Sequence, residues 1–237
     1  MATKLATPGV YIEEKSSFGS TVVSVPTAVP AFVGYTEKAS RSAKSLLNIP
    51  TKISSFAEYC NLFGGAPNTK FEVSSLDDGS ACSIKSVKST RFLMYDSLRL
   101  YFSNGGSDCY IVSVGNYNST ISGKKLNDIK NSGGLASLER YAEPTIVVMP
   151  EATLLSESEC YSVQSAMLQH CGLTMKNRFA ILDVYNGTRE RTYNAEDVVN
   201  RFREGVGSDH LSWGAAYYPF LNTSVVSESE VDFTNIS

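Results

Sequence analysis

The chain is poor in the side chains that most enzymes and metalloproteins use. Two of its 237 residues are histidine, His170 and His210, and no two cysteines stand in a C-x-x-C pair. Zinc sites place Cys and His at short, regular spacings, and no such spacing surrounds His170. The position of His170 in the last turn of a predicted helix instead favours a role as a positively charged side chain near the helix C-terminus. We therefore expect neither a bound metal nor a cofactor.

The cysteine set and the N-terminal residues bear on the compartment. Five cysteines are an odd number, and three of them fall in apolar periodic segments, which is typical of buried or idle thiols in a reducing cytoplasm. They are Cys60, Cys82, Cys109, Cys160 and Cys171. No apolar core of a signal peptide opens the chain, and no stretch approaches the roughly 20 apolar residues of a membrane helix. These features predict cytoplasmic assembly without membrane contact.

The charge balance gives no attractive field for polyanions. With 21 basic and 24 acidic side chains, the formal net charge is −3 and the pI is near 5.5. Nucleic-acid-binding domains normally carry a basic patch or a high pI. We expect no direct contact with nucleic acid.

The second half of the sequence alternates between two apolar patterns. Short continuous apolar runs predict buried strands at residues 145–150, 179–184 and 213–218. Between them, Ser156 and Glu159 predict the cap of a helix that Gly172 ends, and Asn194 predicts the start of another helix that ends at Gly205. This order predicts an α/β fold with a mostly parallel sheet and flanking helices.

The first half contains a similar unit and two polar segments. Residues 31–35 predict a buried strand, and the amphipathic residues 91–102 predict a helix that Gly105 and Gly106 stop before another strand. Two polar stretches with little apolar pattern predict surface insertions, at residues 68–90 and 115–134.

Residues 1–30 differ from the rest of the chain. Pro8, Pro26 and Pro30 disfavour helix, and residues 21–25 are extended and β-branched. Such a segment cannot bury its own apolar side chains, so it is either an edge strand of the chain's own sheet or a strand donated to a neighbouring subunit. The second interpretation defines an N-terminal arm whose intersubunit contacts come from Pro8, Gly9, Val10, Tyr11, Ile12, Val22, Val23 and Val25.

Parallel α/β sheets often carry enzymes, but this sequence lacks the usual catalytic motifs. No G-x-S-x-G elbow is present, and Gly205-Val206-Gly207 follows a predicted helix where a dinucleotide loop would follow a strand. His210 and Asp183 are the only pair that suggests acid–base chemistry. We therefore predict no enzymatic activity and no catalytic residues, with an α/β hydrolase-like enzyme or a monomeric binding module as alternatives.

Three motifs, in this order, carry a resemblance to a known family. They are Pro8-Gly9-Val10-Tyr11, then Asn104-Gly105-Gly106 followed by Cys109-Tyr110, and then Tyr217-Tyr218-Pro219, whose tyrosines also fall on core periodicity. The chain resembles the sheath proteins of contractile phage tails, tailocins and extracellular or type VI-like contractile injection systems. The resemblance implies a subtilisin-like core, but the nucleophile and His-Gly motifs of a protease are missing, so the core is expected to be non-catalytic.

The resemblance also implies a function and partners. It implies a structural subunit that polymerises around an inner tube and drives its ejection by contracting, as part of a phage tail or phage-tail-like particle. The implied partners are identical or paralogous sheath subunits, the inner tube protein, and baseplate and cap proteins. Residues 1–30 would be the arm for strand exchange and residues 31–237 the α/β sheath domain. Family members usually continue past Tyr-Tyr-Pro into a tube-binding domain, which we expect to be absent here.

Overall fold

A computed structural model of the chain describes residues 27–75 and 82–237. Eight residues assigned to the N-terminal arm lie outside the described residues: Pro8, Gly9, Val10, Tyr11, Ile12, Val22, Val23 and Val25. The division between an arm at 1–30 and a body at 31–237 therefore stays a prediction.

The described residues form ten strands, five α-helices and several short 3-10 turns. The strands are β1 (Pro30–Thr36), β2 (Ser40–Arg41), β3 (Lys44–Ser45), β4 (Thr51–Ile53), β5 (Phe71–Ser75), β6 (Cys82–Ser86), β7 (Cys109–Asn116), β8 (Ile146–Val148), β9 (Phe179–Asp183) and β10 (Gly214–Tyr217). The helices are α1 (Phe56–Phe63), α2 (Met94–Ser103), α3 (Gly123–Leu126), α4 (Glu157–Gln169) and α5 (Val198–Val206).

Six strands form the central sheet, in the order β10-β9-β8-β1-β7-β4. All neighbours pair in parallel except β4, which runs antiparallel to β7. The predicted α/β fold with a mostly parallel sheet and flanking helices is confirmed. Whether the core is subtilisin-like stays a prediction.

The centre of the sheet is β1, and its side chains divide the core in two. All seven of its residues are buried. Phe32 joins a cluster with side chains of α1 and α2, whereas Ala31, Val33 and Tyr35 join a larger cluster with α3, α4 and α5. Both faces of β1 are therefore covered, which explains why its sequence is continuously apolar instead of alternating.

The helix that begins after Ser156 continues beyond the predicted stop at Gly172. It passes into a π-helical segment, His170–Met175, and ends at Lys176, which has a left-handed backbone with φ +55°. Gly172 serves close packing instead, because a Cβ there would lie 2.7 Å from Cδ1 of Trp213. The predicted helix end was wrong, because the sequence alone does not distinguish a glycine that permits close packing from a glycine that ends a helix.

The start of α5 was also misplaced. Asp197, not Asn194, caps the helix, since its carboxylate accepts hydrogen bonds from the N–H groups of Val199 and Asn200. Asn194 lies in the preceding turn, where its side-chain oxygen accepts from the N–H of Glu196. Asn and Asp are comparable N-caps, so the residue type does not decide between them.

The two polar stretches lie outside the central sheet, apart from residues 115 and 116, which end β7. Residues 68–90 contain β5 and β6, which pair as a two-stranded antiparallel sheet, and Phe71 of β5 also forms a parallel bridge with Ile236. Residues 115–134 contain α3, which is anchored by the buried Leu126.

Candidate functional site

The expected position of a ligand site in this fold is the crevice at the carboxyl ends of β1 and β8. β7 lies on one side of β1, and β8, β9 and β10 follow on the other, so the direction of the chain across the sheet reverses between β1 and β8. Ligands of open parallel α/β sheets bind at such a reversal. Here the space contains four of the chain's own buried side chains: Tyr35, Phe92, Met94 and Glu151.

Glu151 is the acidic side chain at the centre of this crevice. It follows β8, and its Oε1 accepts hydrogen bonds from the N–H groups of Leu93 at 3.2 Å and Met94 at 2.9 Å, which caps the start of α2. Its Oε2 is buried without a hydrogen-bond partner, and a Cβ on Gly34 would lie 2.1 Å from it. Burial raises the pKa of Glu151 to about 7, because this effect outweighs the hydrogen bonds from backbone N–H groups, which lower the pKa.

Aromatic rings close the rest of the crevice. The Phe92 ring centroid lies 4.8 Å from that of Tyr117 and 5.7 Å from that of Tyr35. The Tyr35 hydroxyl accepts from the N–H of Ser122 at 3.0 Å, and the Tyr117 hydroxyl donates to the carbonyl of Gly65 at 3.0 Å. The carboxyl of Glu151 is therefore enclosed by side chains of the chain itself.

The candidate acid–base pair is not assembled. Asp183 pairs with Tyr217 at the carboxyl end of β9, whereas His210 precedes the amino end of β10. Because β9 and β10 run in parallel, the two side chains lie at opposite ends of the sheet. His210 and Asp183 therefore do not form an acid–base pair within this chain.

His170 is placed differently from the sequence interpretation. Its Nε2 accepts a hydrogen bond from Nη1 of Arg178 at 3.0 Å, and both side chains are buried. Burial, and then the charge of Arg178, lowers the pKa of His170 to about 4. His170 is therefore a neutral acceptor, and the expected role of a cation at the helix end is wrong.

The described residues contain no cluster of three or more His, Cys, Asp or Glu side chains able to hold a metal ion. All five cysteines are free thiols, and Cys109, Cys160 and Cys171 are buried. Burial, the largest cause in each case, raises the pKa of these three thiols to about 12, so they remain protonated and poorly nucleophilic near neutral pH.

The Asn104-Gly105-Gly106 motif is a helix stop that leads into β7. Asn104 donates from its side-chain Nδ2 to the carbonyl of Leu100 at 2.8 Å, and Gly105 has a φ of +84°. A Cβ on Gly106 would lie 2.5 Å from the ring of Tyr101. In β7 itself, Cys109 is fully buried and the hydroxyl of Tyr110 donates to Oε2 of Glu143 at 2.6 Å.

The Tyr217-Tyr218-Pro219 motif lies far across the sheet from the Asn104 motif, at the carboxyl end of the edge strand β10. Tyr217 is 56% exposed, so its expected place in the core is wrong. Tyr218 packs against the core, and its hydroxyl donates to the carbonyl of Arg189 at 2.6 Å. The peptide bond between Tyr218 and Pro219 is cis. These motifs are separate structural turns and do not form one site.

The surface of the described residues carries many exposed apolar side chains. Several lie after β10, including Leu221, Val226, Val231, Phe233 and Ile236. This C-terminal segment is tied to the body by Arg99, whose guanidinium donates to both carboxylate oxygens of Glu230 at 2.7 and 2.9 Å. Neither the net charge nor the apolar periodicity predicts this arrangement.

Among the described helices, none has the length and apolarity to cross a membrane.

Comparison with known proteins gives similarity of structure only. No protein-family model matches the chain, and no curated protein matches it. A chain in the contracted-state baseplate of the anti-feeding prophage (AFP) is similar with a TM-score of 0.60 and 21% identity, over 96% of this chain and 50% of that one. A chain of the contracted AFP helical sheath gives a TM-score of 0.48 and 23% identity, over 90% and 45%. The protein thus spans about half the length of these chains, and the first likeness shows a shared fold.

Proposed function

We propose that the protein is a structural subunit of a contractile injection apparatus, and specifically of its sheath. Copies would polymerise around an inner tube, with paralogous sheath, baseplate and cap proteins as further partners. Two findings support this proposal together. The fold is shared with a chain of the AFP baseplate over 96% of this protein. The motifs at Asn104 and at Tyr217 also occur in the order found in sheath proteins.

The observation that carries a non-enzymatic role is the filled crevice at β1 and β8. An enzyme of this fold needs that space for substrate, yet Tyr35, Met94 and Glu151 are completely buried there. Apolar side chains are instead presented outward, with Leu221 and Phe233 each more than four-fifths exposed. Exposed apolar surface of this kind favours contact with other proteins.

The proposed links between copies are strands. Residues 8–25 would add a strand to the sheet of an adjacent copy, with main-chain hydrogen bonds providing affinity and alternate side chains providing register. Six ladder bonds at about 1 kcal/mol each would contribute several kcal/mol per link before the cost of ordering the segment. Such links would hold the array together while larger interfaces slide.

Contraction in this scheme needs no nucleotide. The extended array would be held by its tube and baseplate at a higher free energy than the contracted array, so that release of the baseplate starts the stroke. The subtilisin-like architecture would serve as a non-catalytic framework. Assembly would take place in the cytoplasm, and the product would be a phage tail or a phage-tail-like particle.

The test is electron microscopy of the purified chain and of a variant lacking residues 1–25. The full chain should form tubes or stacked rings, and the variant should remain folded, by circular dichroism, without forming them. Discrete rings that never stack would instead indicate a baseplate-type component. Loss of folding on deletion would indicate an edge strand of the chain's own sheet and would contradict the strand-donation proposal.

The competing enzyme hypothesis makes an opposite prediction. It requires His210 and Asp183, which lie at opposite ends of the sheet. Under the structural proposal, Asp183→Asn should leave assembly unchanged. A ligand bound at the carboxyl ends of the strands would support the enzyme instead.

A further inference from the structure

A buried carboxylate, that of Asp197, accepts several of the hydrogen bonds that hold the loop between β9 and α5 in place. Asp197 accepts hydrogen bonds from Nε of Arg191 at 2.8 Å and from the N–H groups of Thr192 at 2.7 Å and Tyr193 at 2.9 Å. The same carboxylate caps α5. The side chain of Asp197 has no exposed surface. The backbone of the loop is therefore fixed before it meets any partner.

The side chains that this loop displays take no part in the core. Tyr193 is 79% exposed and has a positive φ of 56°. The guanidinium carbon of Arg191 lies 4.6 Å from the centroid of its ring. Preorganised Tyr and Arg side chains are typical of residues that dominate protein interfaces, because little entropy remains to be lost on binding. We call Arg191 and Tyr193 the knob.

A groove on the same chain carries an acidic side chain. It lies between α4 and the end of α5, has a volume of about 620 Å³ and is floored by small residues and one aromatic ring. Its lining includes Tyr161, Ser162, Ser165, Ala166, Gly205 and Asp209. Glu204 lies in an adjoining depression that shares Tyr161 and Gly205. Neither Asp209 nor Glu204 forms a salt bridge within residues 27–75 and 82–237.

Charge distinguishes this groove from another depression on the surface. The one lined by Thr145 and Trp213 carries Arg178, which would repel Arg191. The groove beside α4 instead offers the carboxylate of Asp209 to the terminal nitrogens of the guanidinium, whose Nε is already bonded to Asp197. We call this groove the socket.

We propose that the knob of one copy docks into the socket of a second copy of this chain. This inference rests on the proposed function, since it names one of the contacts by which copies assemble. The knob lies just before the first turn of α5, and the socket includes residues that follow the last turn of the same helix. Because α5 has nine residues, its two ends are about 13 Å apart. The contact is therefore head-to-tail, and such contacts propagate into rings or open helical arrays.

Disulfide trapping between two full-length variants tests the contact without depending on the arm. One copy carries Tyr193→Cys and the other carries Ser162→Cys, an exposed position on α4. Thiols held together by docking act at millimolar effective concentration, so the mixture should give about tenfold more cross-linked dimer than either variant alone. The matched control replaces Tyr193→Cys by Tyr217→Cys, at another exposed tyrosine.

A charge change in the socket provides a second measurement. Asp209→Lys in the Ser162→Cys copy should reduce the trapped dimer about tenfold by placing two cations together. The melting temperature of each variant should stay unchanged, because all the altered side chains are on the surface.

The outcomes separate this inference from the proposed function. Equal trapping with Tyr193→Cys and Tyr217→Cys, or indifference to Asp209→Lys, overturns the knob and socket even if the wild-type chain assembles. A wild-type chain that stays monomeric at every concentration, by sedimentation velocity, overturns the proposed function as well.

Discussion

Replacement of Glu151 by glutamine should remove a pH dependence of stability that the structure predicts in size and sign. Glutamine keeps an oxygen for the N–H groups of Leu93 and Met94 but cannot ionise. Burial raises the pKa of Glu151 from its ordinary 4.5 to about 7 in the folded chain. The folded state therefore holds a proton that the unfolded chain has released between these two pH values.

The sign follows from this difference in bound protons. The stabilisation is fully present below pH 4.5 and is lost as the pH rises to about 7. At about 1.4 kcal/mol per pH unit, the free energy of unfolding of wild type relative to Glu151→Gln should fall by about 3 kcal/mol across this window. Other titrating groups cancel in the difference.

Urea denaturation from pH 4.5 to 8, followed by the fluorescence of the single tryptophan, Trp213, measures this difference. A matched control is Glu143→Gln. Hydrogen bonds from Lys52 and Tyr110 lower the pKa of Glu143, so its stabilising effect is lost only as the pH falls, and the same comparison should be flat above pH 4.5. A constant difference between wild type and Glu151→Gln would refute the account of the filled crevice.

Three other substitutions probe the core, the close contact and the loop. Leu98→Ala removes a completely buried side chain and should lower the free energy of unfolding by about 2–5 kcal/mol. Its control, Leu100→Ala, changes a side chain that is 39% exposed and should alter the free energy of unfolding by about 0.5 kcal/mol or less. The midpoints of urea denaturation compare the two variants. Gly172→Ala should cost about 1–3 kcal/mol, because its Cβ would meet Trp213 at 2.7 Å, and an unchanged melting temperature would show that the contact can relax. Asp197→Ala should release the loop, seen as faster amide exchange at residues 192 and 193, and unchanged exchange there would contradict its clamping role.

The central sheet was predictable because its pattern is local. A continuous apolar run such as residues 31–35 has few alternatives to a buried strand, and alternation with helices implies parallel pairing. The stop after α2 was predictable for the same reason, since Gly105 needs the left-handed backbone that glycine permits.

The features that sequence could not predict depend on distant contacts. Gly172 was interpreted as a helix end, but its role is set by Trp213, which is 41 positions away in the sequence. Tyr217 fits a core pattern, yet it lies on β10, an edge strand of the central sheet, and its side chain is 56% exposed. The knob carries no periodic signal, because Asp197 organises it through main-chain N–H groups that any sequence would provide.

The most direct test of the account is isotope-coded cross-linking of the assembled protein. Equal amounts of ordinary and ¹⁵N-labelled chain are assembled together, cross-linked through lysine, and analysed for links from Lys4 and Lys15, which lie in the proposed arm. The account predicts that these links join ordinary to labelled chains, as strand donation between copies requires. Links confined to chains of one isotope would place the segment on its own body and contradict the proposal.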